Sequence, residues 1–171
     1  MTAYLHHLLD ISPLNWLDLL CLFIAASLIG LERQIKGKPV GMRTSILICL
    51  GTYVFIALGR SLPLGPGWGQ DPTRVMGQVI TGIGFLGAGV MFSRDGAVVG
   101  VTSAAAIWIL AAIGAIVGMG HQWLGLKVSI LSVLTLMGIS WLESSFKGLQ
   151  KGVYEHLYSR IQDPSEPPED P

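Results

Sequence analysis

The side chains able to do chemistry in this chain are few, and most of them interrupt or border long apolar runs. Asp18, Ala25 and Glu32 lie seven residues apart and fall on one face of a helix, with Asn15 within about 60° of Asp18 at about 100° per residue. Further along, Arg74, Gln78 and Thr81 share a second helical face. An ionisable group inside an apolar run is costly, so it marks either an ion pair that locks helices together or a site for an ion or solute. By position these groups sort into two layers. One holds Asn15, Asp18, Arg74, Gln78 and Lys127, and the other holds Glu32, Arg33, Arg43, Thr44, Arg94 and Asp95. Both signs occur in each layer. Asp18 has Arg74 or Lys127 as candidate partners, Glu32 has Arg43 or Arg94, and Lys127 can snorkel to the surface.

No enzyme signature accompanies them. There is no phosphate-binding glycine loop with a lysine, no HExxH and no nucleophile elbow. Cys21 and Cys49 sit singly in apolar runs and read as small core residues, so neither a metal set nor a cofactor is expected. The formal net charge of zero gives no reason to expect nucleic acid as a partner.

The elements that must position these groups are membrane helices. Of the 171 residues, 51% are hydrophobic and 13% charged, against about 25% charged in a soluble domain. Five apolar runs are long enough, or nearly so, to cross a hydrocarbon core with about 20 residues each: Leu14 to Leu31, Thr44 to Gly59, Val75 to Phe92, Ala97 to Met119 and Trp123 to Leu142. Pro13 can open the first, since proline suits the first helical turn. The stretch 60–74, rich in Gly and Pro, forbids a long helix, and Ser93-Arg94-Asp95-Gly96 predicts a tight polar turn. The predicted fold is therefore an all-α bundle of about five transmembrane helices. Residues 1–143 form the membrane domain, and 144–171 a cytoplasmic tail. In that tail, residues 144 to about 162 predict either a surface-lying amphipathic helix or a frayed segment, and the acidic, proline-rich end reads as disordered. No cleavable signal peptide is expected. With the N-terminus outside, Arg33, Lys36, Lys38, Arg43, Arg94, Lys147, Lys151 and Arg160 are inside, which is eight of the 11 basic residues and follows the positive-inside rule. The short basic loop KGKPVGMR (36–43) is a topology determinant or a lure for anionic headgroups.

The glycine run of the third helix has a packing role. Gly77, Thr81, Gly84 and Ala88 recur on one face, and Gly82, Gly87 and Gly89 add to its small-residue content. Ala104, Ala111, Ala115 and Gly118 repeat the device on the fourth helix. Small residues let backbones approach closely in lipid, within a chain or between chains. The third and fourth helices are thus expected at the tight centre of the bundle, and a homodimer is expected from such a face. The alternative is a broken or re-entrant third helix whose carbonyls coordinate an ion.

The stretches Gly30-Leu31-Glu32-Arg33-Gln34, Gly37-Lys38-Pro39-Val40-Gly41-Met42-Arg43-Thr44, Asp71 to Val75, Gln78 to Val90 (QVITGIGFLGAGV) and Gly100 to Trp108 (GVTSAAAIW), in that order, resemble the MgtC/SapB family of bacterial membrane proteins. The resemblance spans residues 14 to about 142. It implies a multi-pass, five-helix protein of the bacterial inner membrane, associated with magnesium limitation and intracellular survival, in a family some of whose members are proposed to restrain the membrane ATP synthase. Its motif positions here are Glu32, Arg33, Arg43, Thr44, Arg74, Gln78 and Thr81. Many virulence-type members carry a C-terminal cytoplasmic domain, and the short acidic tail at 163–171 leads to the expectation of a short, membrane-only member. Two functions follow: a regulatory protein that binds another membrane complex, or a small transporter or channel for magnesium, another cation or a small solute, using Asp18, Arg74 and Gln78.

Overall fold

The computed structural model describes residues 10–61, 72–94 and 97–145. Among these, five helices occur: α1 (Trp16–Ile35), α2 (Met42–Ser61), α3 (Pro72–Gly89), α4 (Val101–Gly118) and α5 (Gln122–Ser145). The chain divides into two compact units, Met1–Val133 and Leu134–Pro171. The amphipathic stretch and acidic end expected of the tail lie outside the described residues, apart from its first two positions at the end of α5.

Each helix has a local cause. Asn15 caps α1, its Oδ1 accepting the Leu17 N–H at 2.9 Å, which satisfies a donor that the first turn leaves free. Asp18 in that first turn complements the positive end of the helix. Where the apolar run predicts an end near Leu31, α1 continues one turn further, through Glu32 and Arg33. It stops at Gly37 (φ +61°), where the Gly37 N–H donates to the Gln34 carbonyl and the Lys38 N–H to the Arg33 carbonyl, the left-handed glycine stop of many helices.

Between α3 and α4 the structure differs from the expected simple turn. Phe92–Arg94 and Ala97–Val99 form a two-stranded antiparallel ribbon with Arg94 opposite Ala97. An Asp-Gly pair favours a hairpin, and Phe92 on one side with Val98 and Val99 on the other suit strands, so the ladder takes residues 97–99 that the apolar run assigns to a helix. The fourth helix therefore starts at Val101. Gly100 makes the switch at φ +93°, and a Cβ there would collide with the Val90 carbonyl oxygen. The third helix runs unbroken from Pro72 to Gly89 through its glycines, so the broken-helix alternative does not hold.

The centre of the first unit is α2 against α4, with α1 beside them. Cys21, Leu22, Ala25, Ala26 and Ile29 of α1, Cys49, Tyr53 and Ile56 of α2, and Leu110, Ile113 and Val117 of α4 are all buried. The closest backbone approaches are at Gly114 and Gly118. A Cβ on Gly114 would lie 2.5 Å from the Cys49 carbonyl oxygen, and one on Gly118 would lie 2.8 Å from Ile56 Cβ. This corrects the expectation that α3 and α4 form the tight centre. Gly77, Gly82, Gly84 and Gly89 have open space where a Cβ would go, and Ala88 is exposed. On α3 the buried positions among the described residues are Ile83 and Gly87, and a Cβ on Gly87 would lie 3.7 Å from Ala104 Cβ. Ala111 is buried in α4, and Ala104 is half-buried. The start of α5 is held by the Ser129 hydroxyl, which donates to the Ala25 carbonyl at 2.6 Å.

The outward surface is apolar. Phe23, Leu47, Phe55, Phe85, Trp108 and Leu131 are among its exposed large side chains. Among the described residues, three helices are long and apolar enough to cross a membrane: Met42–Ser61, Val101–Gly118 and, within α5, Gln122–Leu142. The first helix differs from these in carrying three charged residues, Asp18, Glu32 and Arg33, and α3 carries Arg74 and Gln78.

Candidate functional site

Polar groups gather at two ends of the first unit, as the two layers predict, with membership that differs in part. At the Asp18 end, α1 begins where α2 and α4 finish. Tyr53, almost wholly buried on α2, receives the Asn15 N–H on its Oη at 3.0 Å and donates that hydroxyl to Asp18 Oδ2 at 3.4 Å. Arg60, in the last turn of α2, donates from Nη1 to the Gly118 carbonyl at 2.9 Å, so one guanidinium serves the negative ends of two helices. Asp18, Tyr53, Arg60, Ser61 and Gly118 line one pocket of about 370 Å³ together with Pro13 and Ala57. Asp18 and Arg60 share this pocket without forming an ion pair.

The expected partners of Asp18 are not there. Arg74 is exposed in the first turn of α3, Lys127 is exposed on α5, and neither lines this pocket. Tyr53 and Arg60 are the groups that sequence reasoning missed. Arg60 was read as a loop residue at the end of its run, and a lone tyrosine in an apolar run carries no signal of its own. Only the crossing of α1 and α2 shows that Tyr53 reaches Asp18.

Gln78 lines a second space, a cleft of about 580 Å³ between α2 and α3 that also includes Thr44, Thr52, Phe55, Gly82 and Leu86. Thr81 spends its hydroxyl on its own helix, donating to the Gly77 carbonyl at 3.0 Å. Thr44 and Gln78, assigned to opposite layers, thus line one cleft, and the Arg74–Gln78–Thr81 face does not join Asp18.

At the other end the GLER segment forms a knot. The Arg33 guanidinium is 2% exposed. It donates from Nη2 to Ser103 Oγ at 2.6 Å and from Nε to the Pro39 carbonyl at 3.4 Å. One side chain therefore ties the end of α1 to the 36–41 loop and to the start of α4. Val40 in that loop has φ +68°, a strained conformation for a β-branched residue. Its burial and the Ser45 hydroxyl, which donates to the Val40 carbonyl at 3.3 Å, hold it there. Gly30 lets the loop pass: a Cβ there would lie 2.6 Å from Met42 Cα. Glu32 is buried and pairs with Lys36, Oε1 to Nζ at 2.9 Å, rather than with Arg43, which is exposed. Its Oε2 has no hydrogen-bond partner among the described residues. The Arg94 side chain and Asp95 lie outside the described residues.

Between the two ends the core is mostly apolar. Cys21, Leu22, Ala25, Ala26 and Ile29 of α1 are buried, as are Cys49, Ile56, Leu110 and Ile113 of α2 and α4. The polar exceptions are the Ser129 hydroxyl on the Ala25 carbonyl and the buried Ser27 Oγ, which has no hydrogen-bond partner among the described residues. A helical bundle with an apolar outer surface, membrane-length helices and its ionisable groups held near two ends is an integral membrane protein. The sequence model of the MgtC family matches residues 19–145, and the chain belongs to that family. It is 42% identical over 118 residues to the putative magnesium transporter YhiD of Escherichia coli K12, covering 66% of this chain and 54% of that protein. Protein MgtC of Brucella abortus is 34% identical over 140 residues, covering 80% and 57%. Protein SrpB of Synechococcus elongatus is 35% identical over 155 residues, covering 79% and 85%. The chain thus spans little more than half the length of the first two and most of the third. No solved structure matches.

Proposed function

We propose that this protein is a non-catalytic regulatory component of the bacterial inner membrane, which acts by binding another membrane complex rather than by conducting ions through its own bundle. The observation that carries this reading is the mostly apolar core between Asp18 and Glu32. An ion path needs a continuous run of polar groups or water, and between these two carboxylates the buried residues of α1 are apolar, with only Ser27 and the Ser129 hydroxyl as polar interruptions. The placement of basic residues supports an outside N-terminus and a cytoplasmic C-terminus. Family membership supports a link to magnesium limitation and to control of membrane energetics, with the ATP synthase as the candidate partner. The open face of Gly77, Thr81, Gly84 and Ala88 on α3 supports a homodimer, since none of the described residues lies within 4 Å of a Cβ placed at its glycines.

Quantitative pull-down from native membranes tests the binding role. Under magnesium limitation the tagged protein is expected to retain ATP synthase subunits several-fold above an unrelated multi-pass membrane protein. Recovery equal to that control would overturn the proposed partner.

A second reading has one observation in its favour. The α2–α3 cleft reaches from Thr44 near the start of α2 to Val75 and Gln78 near the start of α3. If it were closed from the side by a second copy, it would offer a route for the cation that the name of the Escherichia coli relative implies.

A further inference from the structure

The pocket at the Asp18 end holds a carboxylate and a guanidinium that do not pair with each other. We infer that it binds a zwitterionic headgroup, with a primary ammonium on Asp18 and a phosphate on Arg60. This extends the binding role proposed above to a ligand class, and does not depend on which protein partner is bound.

Both charges are held in place. Tyr53 fixes Asp18 through Oδ2, which leaves Oδ1 as an acceptor, and Tyr53 is itself fixed by burial and by the Asn15 N–H. Arg60 commits Nη1 to the Gly118 carbonyl, and no other acceptor for it occurs among the described residues. Its remaining N–H groups suit the bidentate recognition of a phosphate. A direct salt bridge would neutralise both groups. Holding them on either side of a space of about 370 Å³ leaves each charge to be met by something else. That space is within the range of about 300–1,000 Å³ of small-ligand sites. Because Asp18 lies in the first turn of α1 and Arg60 in the last turn of α2, the pocket is at the end of the bundle, at headgroup depth rather than mid-membrane.

A separate apolar groove of about 300 Å³ lies between α3 and α4. Met119 and His121 line it, alternating in sequence with Gly118, which accepts from Arg60, and Gly120, where a Cβ would lie 3.4 Å from Arg60 Nη1. Ile80, Ile83, Trp108 and Ala112 extend the groove along the helices, a lining that suits an acyl chain. A primary ammonium donates hydrogen bonds to a carboxylate, whereas a trimethylated one cannot. Phosphatidylethanolamine is therefore the expected lipid source, and phosphoethanolamine is the soluble ligand with the same chemistry.

Native mass spectrometry of the purified, delipidated protein after incubation with phosphatidylethanolamine, phosphatidylcholine or phosphatidylglycerol of matched chains tests this. The ethanolamine lipid is expected to be retained roughly tenfold more tightly than the other two. Asp18→Asn and Arg60→Gln are each expected to abolish that preference, while Lys127→Gln, a cation outside the pocket, keeps it. Competition by free phosphoethanolamine at concentrations near those of the lipid would assign the pocket to a soluble ligand, overturning the lipid source while keeping the chemistry. Equal retention of the three lipids by the unaltered protein, with no effect of phosphoethanolamine, would overturn the proposal without requiring that either variant fold.

Discussion

Replacement of Arg33 by methionine is expected to destabilise the detergent-solubilised protein by about 3 kcal/mol or more, read as a fall of roughly 10 °C in its thermal unfolding midpoint. The guanidinium is buried, and its two hydrogen bonds bridge three segments distant in sequence. Methionine preserves much of the packing volume but leaves the Ser103 hydroxyl and the Pro39 carbonyl without this donor. It also removes a positive charge beside Glu32, which is buried and has only one oxygen paired. The strained turn at Val40 then loses the neighbouring tie at Pro39. Arg33→Lys keeps the charge but not the fork, so it should fall between the two. If methionine at this position unfolded with the unaltered protein, Arg33 would not be the tie between α1, the loop and α4.

The second large effect is at Gly114. Gly114→Ala places a methyl group 2.5 Å from the Cys49 carbonyl oxygen and 2.8 Å from Thr52 Cβ. Both atoms belong to the α2 packing face, so α2 and α4 must separate. Overpacking of this kind costs about 1–3 kcal/mol, and rigid backbone on one side puts Gly114 at the upper end. Gly82→Ala on α3 meets nothing within contact distance and gains helix propensity, so it should be neutral or stabilising by up to about 1 kcal/mol. The two variants, measured side by side by thermal unfolding, separate the two accounts of the bundle. A larger loss at Gly82 than at Gly114 would restore α3 to the tight centre and contradict the α2–α4 packing described above.

That contrast shows what was legible in the sequence. The five helices were legible, because apolar runs near membrane length broken by Glu32-Arg33, the Gly/Pro-rich loop and Gly120-His121 leave few alternatives. Family membership was legible in the ordered motifs. The packing partners were not. A small-residue stripe on α3 says that a close approach is possible there, and it does not name the surface that approaches. Gly118 belongs to the small-residue stripe expected on α4, and the structure places it against α2; Gly114 was hidden because α4 is nearly uniformly apolar and its buried face has no polar contrast to reveal it. Pairing was hidden for a related reason. Asp18, Glu32, Arg33 and Arg74 stand out by type, but their neighbours are set by helix crossings. Glu32 takes Lys36 one turn away, and Asp18 takes a tyrosine 35 residues on. The ribbon at 92–99 was half visible: the polar turn could be read, and the strands flanking it resembled the apolar start of a helix.

With a mostly apolar core between its two charged ends, the protein is expected to bind and not to conduct. Reconstitution of the purified protein into liposomes, with magnesium and proton flux measured beside a working control transporter, tests this expectation most directly. Flux equal to that of protein-free liposomes is expected. Saturable magnesium flux above that level, reduced by Gln78→Leu in the α2–α3 cleft, would contradict it and assign transport to that cleft.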